Sequence, residues 1–193
     1  ELTTAILVGS DFILNLQPQL SRIINLAFKW EKTRVSGCII YVRKGLVMSF
    51  QIKDGTLFCE GLKVKDIQDK IPESPFYLYS LNTISQNFLA YEKALDGIPS
   101  LVSFAVKANY NLAILRHLQE LGSGATLVSG NELKLALAAW FSPEKITYNG
   151  NGKTQAELTL AVDQGIMVNI DSEFDLAHIN KAATELDKIA KVT

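Results

Sequence analysis

The amino-acid sequence predicts an α/β protein built on a parallel sheet. Three observations carry that reading. From Leu101 onward, short apolar runs alternate with helix-like stretches four times, about 22–25 residues apart. Glycines (Gly122, Gly124, Gly165) stand where helices must turn back into strands. The apolar runs are continuous rather than alternating, the pattern of strands covered on both faces. A doubly wound open sheet and half of an eight-fold barrel both satisfy this pattern. Four units cannot close a barrel, so on the barrel reading about half of it lies beyond these units.

Along the chain, Asp54-Gly55 predicts a turn before a short strand, Thr56–Glu60. Lys63–Lys70 reads as a short helix stopped by Pro72. Phe76–Tyr79, opened by Pro75, reads as a strand. Asn82 is the expected cap of a helix running to about Leu95, ended by Gly97 and Pro99. Then come the four units. Leu101–Val106 precedes a helix over Leu112–Leu121, and Ala125–Val128 precedes one over Asn131–Trp140. Ile146–Tyr148 precedes a helix over Thr154–Gln164, and Ile166–Ile170 precedes one over Ser172–Ala190.

The 193 residues are 48% hydrophobic and 20% charged, with a net charge of −1. That composition excludes a disordered tail, a collagen-like repeat and a strongly basic nucleic-acid binder. Cys38 and Cys59 cannot make a disulfide framework, which fits a reducing compartment. The average charge conceals a split. Residues 1–53 carry seven basic and three acidic residues, net +4, and residues 54–193 are net −5. A boundary near residue 53 is therefore expected, with a basic leader over 1–53 before it. The leader has no clean apolar core before a small-residue cleavage site, so no secretory signal is read. None of its apolar runs reaches the roughly 20 residues of a membrane span. It reads as a poorly ordered extension or a mistranslated stretch, with few acids and several bases as in organelle transit peptides but only four serines.

In either architecture, chemistry collects where strands end and helices begin. Those ends are Lys107-Ala-Asn109, Ser129-Gly-Asn131, Asn149-Gly-Asn-Gly-Lys153 and Asp171-Ser-Glu173, all polar. Lys107 follows the most apolar run. A partly desolvated lysine there would favour its neutral amine, the form that attacks an aldehyde; the plainer alternative is a lysine ending the strand in solvent. Gly150–Thr154 resembles a phosphate-binding loop, but Thr147 stands where the motif needs its first glycine, which disfavours a nucleotide binder. A tight turn with Asn149 or Asn151 at the mouth is the simpler reading. His117 and His178 fall on helix faces and make no metal site with the cysteines. Ser129 lacks a nucleophile elbow and a partner histidine.

Phe104-Ala-Val-Lys-Ala-Asn109, followed by Ile114-Leu115, Leu118 and Gly122, resembles the pyridoxal-phosphate attachment pattern of the ornithine/diaminopimelate/arginine decarboxylase family. Pro75–Tyr79, Leu127–Leu133, Asn149–Lys153 and Val168–Leu176 extend the likeness over residues 54–193, closest to the plant-like diaminopimelate branch. Ornithine enzymes typically carry Lys-Cys-Asn and Ala-Ser-Lys-Thr-Glu where this chain has Lys107-Ala-Asn109 and Val128-Ser-Gly-Asn-Glu132. Thr126 stands where bacterial members usually have Asp.

The resemblance implies a partial (β/α)8 barrel of the alanine-racemase type, its first four units lying over 81–193 and preceded over 54–80 by a β-domain strand and the segment that enters the barrel. It implies pyridoxal 5'-phosphate held by Lys107 as a Schiff base, with Ser129 and Asn149 as further cofactor contacts and no metal. It implies a small amino-acid substrate, no nucleic-acid or membrane partner, a homodimeric whole protein, and a plastid location if the source is a plant, otherwise the cytoplasm. The family's cofactor-stacking histidine, Gly-rich phosphate loop and pyridine-nitrogen acid all come later, as does its Cys-Glu-Ser-Gly-Asp segment. The expectation is that these 193 residues alone neither hold cofactor tightly nor decarboxylate. An unpaired edge at Ile166–Ile170 is expected to make them poorly soluble. Other readings are a different decarboxylase of the same fold and a non-catalytic relative.

Overall fold

The structure, a computed structural model, describes residues 30–35, 38–43 and 49–193. It divides into two units, Glu1–Asp96 and Gly97–Thr193. The helix expected to open the barrel half, after residue 81, therefore falls in the first unit. Most of the basic leader lies outside the described residues.

In the first unit, β1 (Trp30–Val35) and β2 (Cys38–Arg43) form an antiparallel pair. A separate antiparallel sheet joins β3 (Phe50–Lys53), β4 (Thr56–Cys59) and β5 (Leu62–Lys63). Its turns are Asp54-Gly55 and Glu60-Gly61. All four residues have positive φ, the backbone of two-residue hairpins whose twist matches that of the strands. The change of charge near residue 53 thus falls at a hairpin turn, with β3 on the leader side hydrogen-bonded to β4. After β5 come α1 (Val64–Gln68) and α2 (Leu81–Ala94).

Two expectations fail in this unit. Ser80, not Asn82, caps α2: its Oγ accepts from the Thr83 amide at 3.0 Å, while the Asn82 amide donates to Glu60. Phe76–Tyr79 forms no strand, because no neighbouring strand pairs with it, and Tyr77 is 79% exposed.

The second unit holds a five-stranded parallel sheet in the order β10-β9-β8-β7-β6. Its elements are β6 (Ser103–Ala105), α3 (Leu112–Glu120), β7 (Gly124–Leu127), α4 (Gly130–Ala138), β8 (Ile146–Tyr148), α5 (Gln155–Asp163), β9 (Met167–Val168), α6 (Glu173–Leu186) and β10 (Lys191–Val192). The order never reverses, which distinguishes an opening barrel from a doubly wound sheet. The two faces are unequal. Ala125, Leu127, Ile146, Tyr148 and Val168 are fully buried beneath helices, whereas Ala105, Thr126, Thr147 and Met167, which share one register row, are half-buried. The expectation of a sheet covered on both faces is therefore corrected. The helices cover one face, and the apolar strands serve that layer.

The last helix stops at Leu186 rather than Ala190, because Asp187 turns left-handed at φ 51° and frees the chain to form β10. That strand, not foreseen, pairs with β9 in parallel. The expected open edge at Ile166–Ile170 is consequently closed, and the outer strands of the described sheet are β6 and β10. Gly124 marks a close approach: a Cβ there would lie 2.4 Å from Ser103 Oγ and 2.8 Å from the Lys145 carbonyl oxygen.

Candidate active site

The polar residues singled out in the sequence gather at the carboxyl ends of adjacent strands. After β6 the chain enters a 3₁₀ turn, Val106–Ala108, with Lys107 at its centre. Val106 is fully buried and pins the turn. The Asn109 amide donates to the Val106 carbonyl at 3.1 Å. Asn109 Oδ1 accepts from the Asn111 amide at 2.9 Å, and Asn111 Oδ1 accepts from the Ala113 amide at 3.0 Å, capping α3. Lys107 is thus held between a buried anchor and a capped helix. Of the two settings open to it in the sequence, the described residues show the solvent-exposed one. Its side chain is exposed, and among the described residues it has no hydrogen-bond or ion-pair partner.

Ser129 follows β7 by two residues, and its Oγ accepts from the Glu132 amide at 3.3 Å, capping α4. Glu132 returns to the Val128 amide at 2.8 Å. Asn149 follows β8, half-buried, and its amide donates to the Leu127 carbonyl at 2.8 Å. Lys107, Ser129 and Asn149 thus sit at three neighbouring strand ends without hydrogen-bonding one another among the described residues. Thr126 lies one row below, paired with Ala105 and Thr147.

Several of the rim's backbone amides donate to the chain's own carboxylates. Glu157 accepts from the Gly130 amide at 2.6 Å and from the Thr154 amide and hydroxyl, both at 2.9 Å. Burial pushes the Glu157 carboxyl up, but these hydrogen bonds outweigh it and hold the group below its usual range. Asp175 behaves alike. Burial raises it, and the Lys153 ammonium at 2.7 Å with the Asp171 amide at 3.2 Å brings it down. Lys153, read as the lysine of a failed phosphate loop, is instead a buried cation between Asp175 and Asp171. Behind the rim, the Tyr148 hydroxyl is buried without a hydrogen-bond partner of good geometry. Burial first, and then the nearby Glu157, Glu132 and Asp175 carboxylates, push its pKa well up. His178 lies off the rim, its Nδ1 donating to the Phe174 carbonyl at 2.8 Å.

Sequence reasoning missed the Glu157 and Asp175 carboxylates. The Thr154-x-x-Glu157 spacing was a readable capping-box signal. The Lys153–Asp175 pair, 22 residues apart, left none. The donor set fits the aldehyde end of pyridoxal phosphate, since an accessible primary amine stands at a strand end. The Gly130 amide at the start of α4 is taken by Glu157, and the Val128 and Asp171 amides just before α4 and α6 are taken by Glu132 and Asp175.

Residues 81–193 match the sequence model of the pyridoxal-dependent decarboxylases, pyridoxal-binding domain. A rice (Oryza sativa subsp. japonica) protein named probable diaminopimelate decarboxylase, chloroplastic, is 55% identical over 130 residues, covering 67% of this chain and 26% of the relative. A solved protein of Aquifex aeolicus superposes with TM-score 0.72 at 43% identity, covering 75% of this chain and 36% of that one. Diaminopimelate decarboxylase of M. jannaschii, solved in complex with L-lysine, gives TM-score 0.68 at 36% identity over 75% of this chain and 35% of its own. The chain therefore spans about a quarter to just over a third of the length of these relatives. With that match over residues 81–193 and this strand order, the chain belongs to the pyridoxal-dependent decarboxylase family, as the opening portion of its alanine-racemase-like barrel.

Proposed function

We propose that the protein decarboxylates meso-2,6-diaminopimelate to L-lysine and CO₂, with Lys107 as the residue that carries pyridoxal 5'-phosphate. The observation that carries this is the Lys107 amine: exposed at the end of β6, unpaired among the described residues, on a turn fixed by buried Val106 and the Asn109–Asn111 cap. When bound, pyridoxal phosphate supplies the electron sink for the pair released as the carboxylate leaves. Lys107 holds the aldehyde end and, once its amine is free, can hold and return a proton. Ser129 Oγ accepts one hydrogen bond, from the Glu132 amide, which leaves its hydroxyl hydrogen and a second lone pair to offer the cofactor. Asn149 offers a carboxamide beside it.

Diaminopimelate is favoured over ornithine by Lys107-Ala-Asn109 and Val128-Ser-Gly-Asn-Glu132, which lack the cysteine and the Ser-Lys-Thr-Glu run typical of ornithine enzymes. The lysine complex of the M. jannaschii relative supports the same choice. We assign the activity to the whole protein as a homodimer. In a plant source its location is the plastid, supported by the chloroplastic name of the rice relative and the basic leader; otherwise it is the cytoplasm. The β3–β5 sheet is assigned to the β-domain that accompanies the barrel.

In the whole protein, borohydride treatment in the presence of pyridoxal phosphate, followed by peptide mass mapping, is expected to label Lys107, and Lys107→Ala is expected to abolish the label. Labelled CO₂ is expected from diaminopimelate in preference to ornithine. A label on another lysine overturns the site assignment, and faster release from ornithine overturns the substrate.

A further inference from the structure

Lys153 is a buried cation that the proposed chemistry does not use. Its side chain is fully enclosed, with Nζ 2.7 Å from Asp175 Oδ2 and 3.3 Å from Asp171 Oδ2. Asp171 reaches the other way as well. Its Oδ1 accepts from Asn169 Nδ2 at 2.9 Å. An ionised carboxylate only accepts, so the end of Asn169 turned toward Asp171 must be the NH₂ group, and the carbonyl oxygen Oδ1 faces away from it. Among the described residues nothing donates to that oxygen.

Asn169 also has a defined place on the sheet. Its amide donates to the Tyr148 carbonyl at 2.9 Å, and the Asn149 amide donates to the Leu127 carbonyl, so the β7–β8–β9 ladder runs on past the strand ends. Strand alternation puts Asn149 two residues beyond Thr147 and Asn169 two beyond Met167, on the face turned from the helices. The two asparagines are therefore neighbours at the mouth that Lys107 also borders. Three strand spacings of about 4.8 Å separate β6 from β9, about 14 Å along the sheet. That span suits an extended amino acid attached near one end and hydrogen-bonded near the other.

We propose that Lys153 and Asp171 are positioning residues that lock the Asn169 carboxamide with its oxygen toward the mouth, where it accepts a hydrogen bond from an N–H group of the amino-acid ligand. The proposal rests on the reading of this mouth as the site of an amino-acid decarboxylase. Lys153 fixes one oxygen of Asp171, and Asp171 in turn fixes the amide. Without the carboxylate, the carboxamide can rotate and offer donor or acceptor alike.

L-lysine is the probe, and calorimetric affinity in the holoprotein is the readout. Asn169→Ala and Asp171→Asn are each expected to weaken L-lysine binding about tenfold, the size of one lost hydrogen bond. The double variant is expected to be no weaker than Asn169→Ala, because Asp171 acts through Asn169. Borohydride trapping of pyridoxal phosphate on Lys107 is expected to be unchanged in all three. Asn169 is half-buried with one side-chain hydrogen bond, so its variant keeps the test open even if Asp171→Asn folds poorly. Unchanged affinity in Asn169→Ala overturns the proposal, as do additive losses in the double variant. If the unaltered holoprotein takes up no L-lysine, the acceptor role fails, and trapping on Lys107 in the same sample shows whether the cofactor reading fails with it.

Discussion

Lys153 shows how much one side chain can decide. Lys153→Met would leave two carboxylates without their cation, one of them, Asp175, only 4% exposed. The expected loss is about 3–5 kcal/mol, read from urea unfolding midpoints. Gly124→Ala is expected to cost about 1–3 kcal/mol by the same measurement, since the new Cβ would meet the Lys145 carbonyl oxygen at 2.8 Å, an atom that cannot swing aside. Acid should act through Glu157 and Asp175, whose folded-state pKa values are depressed. Their contribution is complete above the unfolded values of about 4 and is lost as pH falls through the folded ones. Unfolding midpoints should therefore fall from pH 5 downward, and more shallowly in Glu157→Gln. Lys107 was legible because a lone lysine ended the most apolar run. Whether it sits desolvated or in solvent stayed open, because burial depends on chain far from it. The ion pair of Lys153 was not legible for the same reason, its partner Asp175 lying 22 residues away.

Among the elements, the helix starts are the most precisely made. Ser80, Asn111, Ser129, Thr154 and Ser172 each accept from an amide in the first turn. Thr154→Ala removes one half of a reciprocal box, and a loss of about 1 kcal/mol is expected in thermal unfolding, with Thr154→Ser restoring most of it. Local signals of this kind explain why α3 and β8 fall where the sequence placed them. Phe76–Tyr79 failed as a strand and β10 was overlooked for one shared reason. A strand is defined by what pairs with it, and Lys191-Val192 has too few residues to show a period.

For the molecule as a whole, the strand order was the undetermined quantity. Apolar runs and helices in alternation suit both parallel architectures, and no single segment records whether the winding reverses. The observed order answers that, and it leaves β6 and β10 as the outer strands of the described sheet. Such edges pair readily with other chains. The 193-residue chain is therefore expected to self-associate, eluting in size-exclusion with light scattering at multiples of 21.3 kDa rather than at that mass.

The units of the sheet are also stitched forward: Glu157 of α5 completes the start of α4, Lys145 donates to the Gly122 carbonyl at 3.0 Å, and Lys188 donates to the Asp163 carbonyl at 2.6 Å. Each unit's loose ends are finished by residues made after it. During synthesis on the ribosome, a unit stays incomplete until the next has emerged, so its protection from protease should rise one unit late, in steps that follow the growing chain.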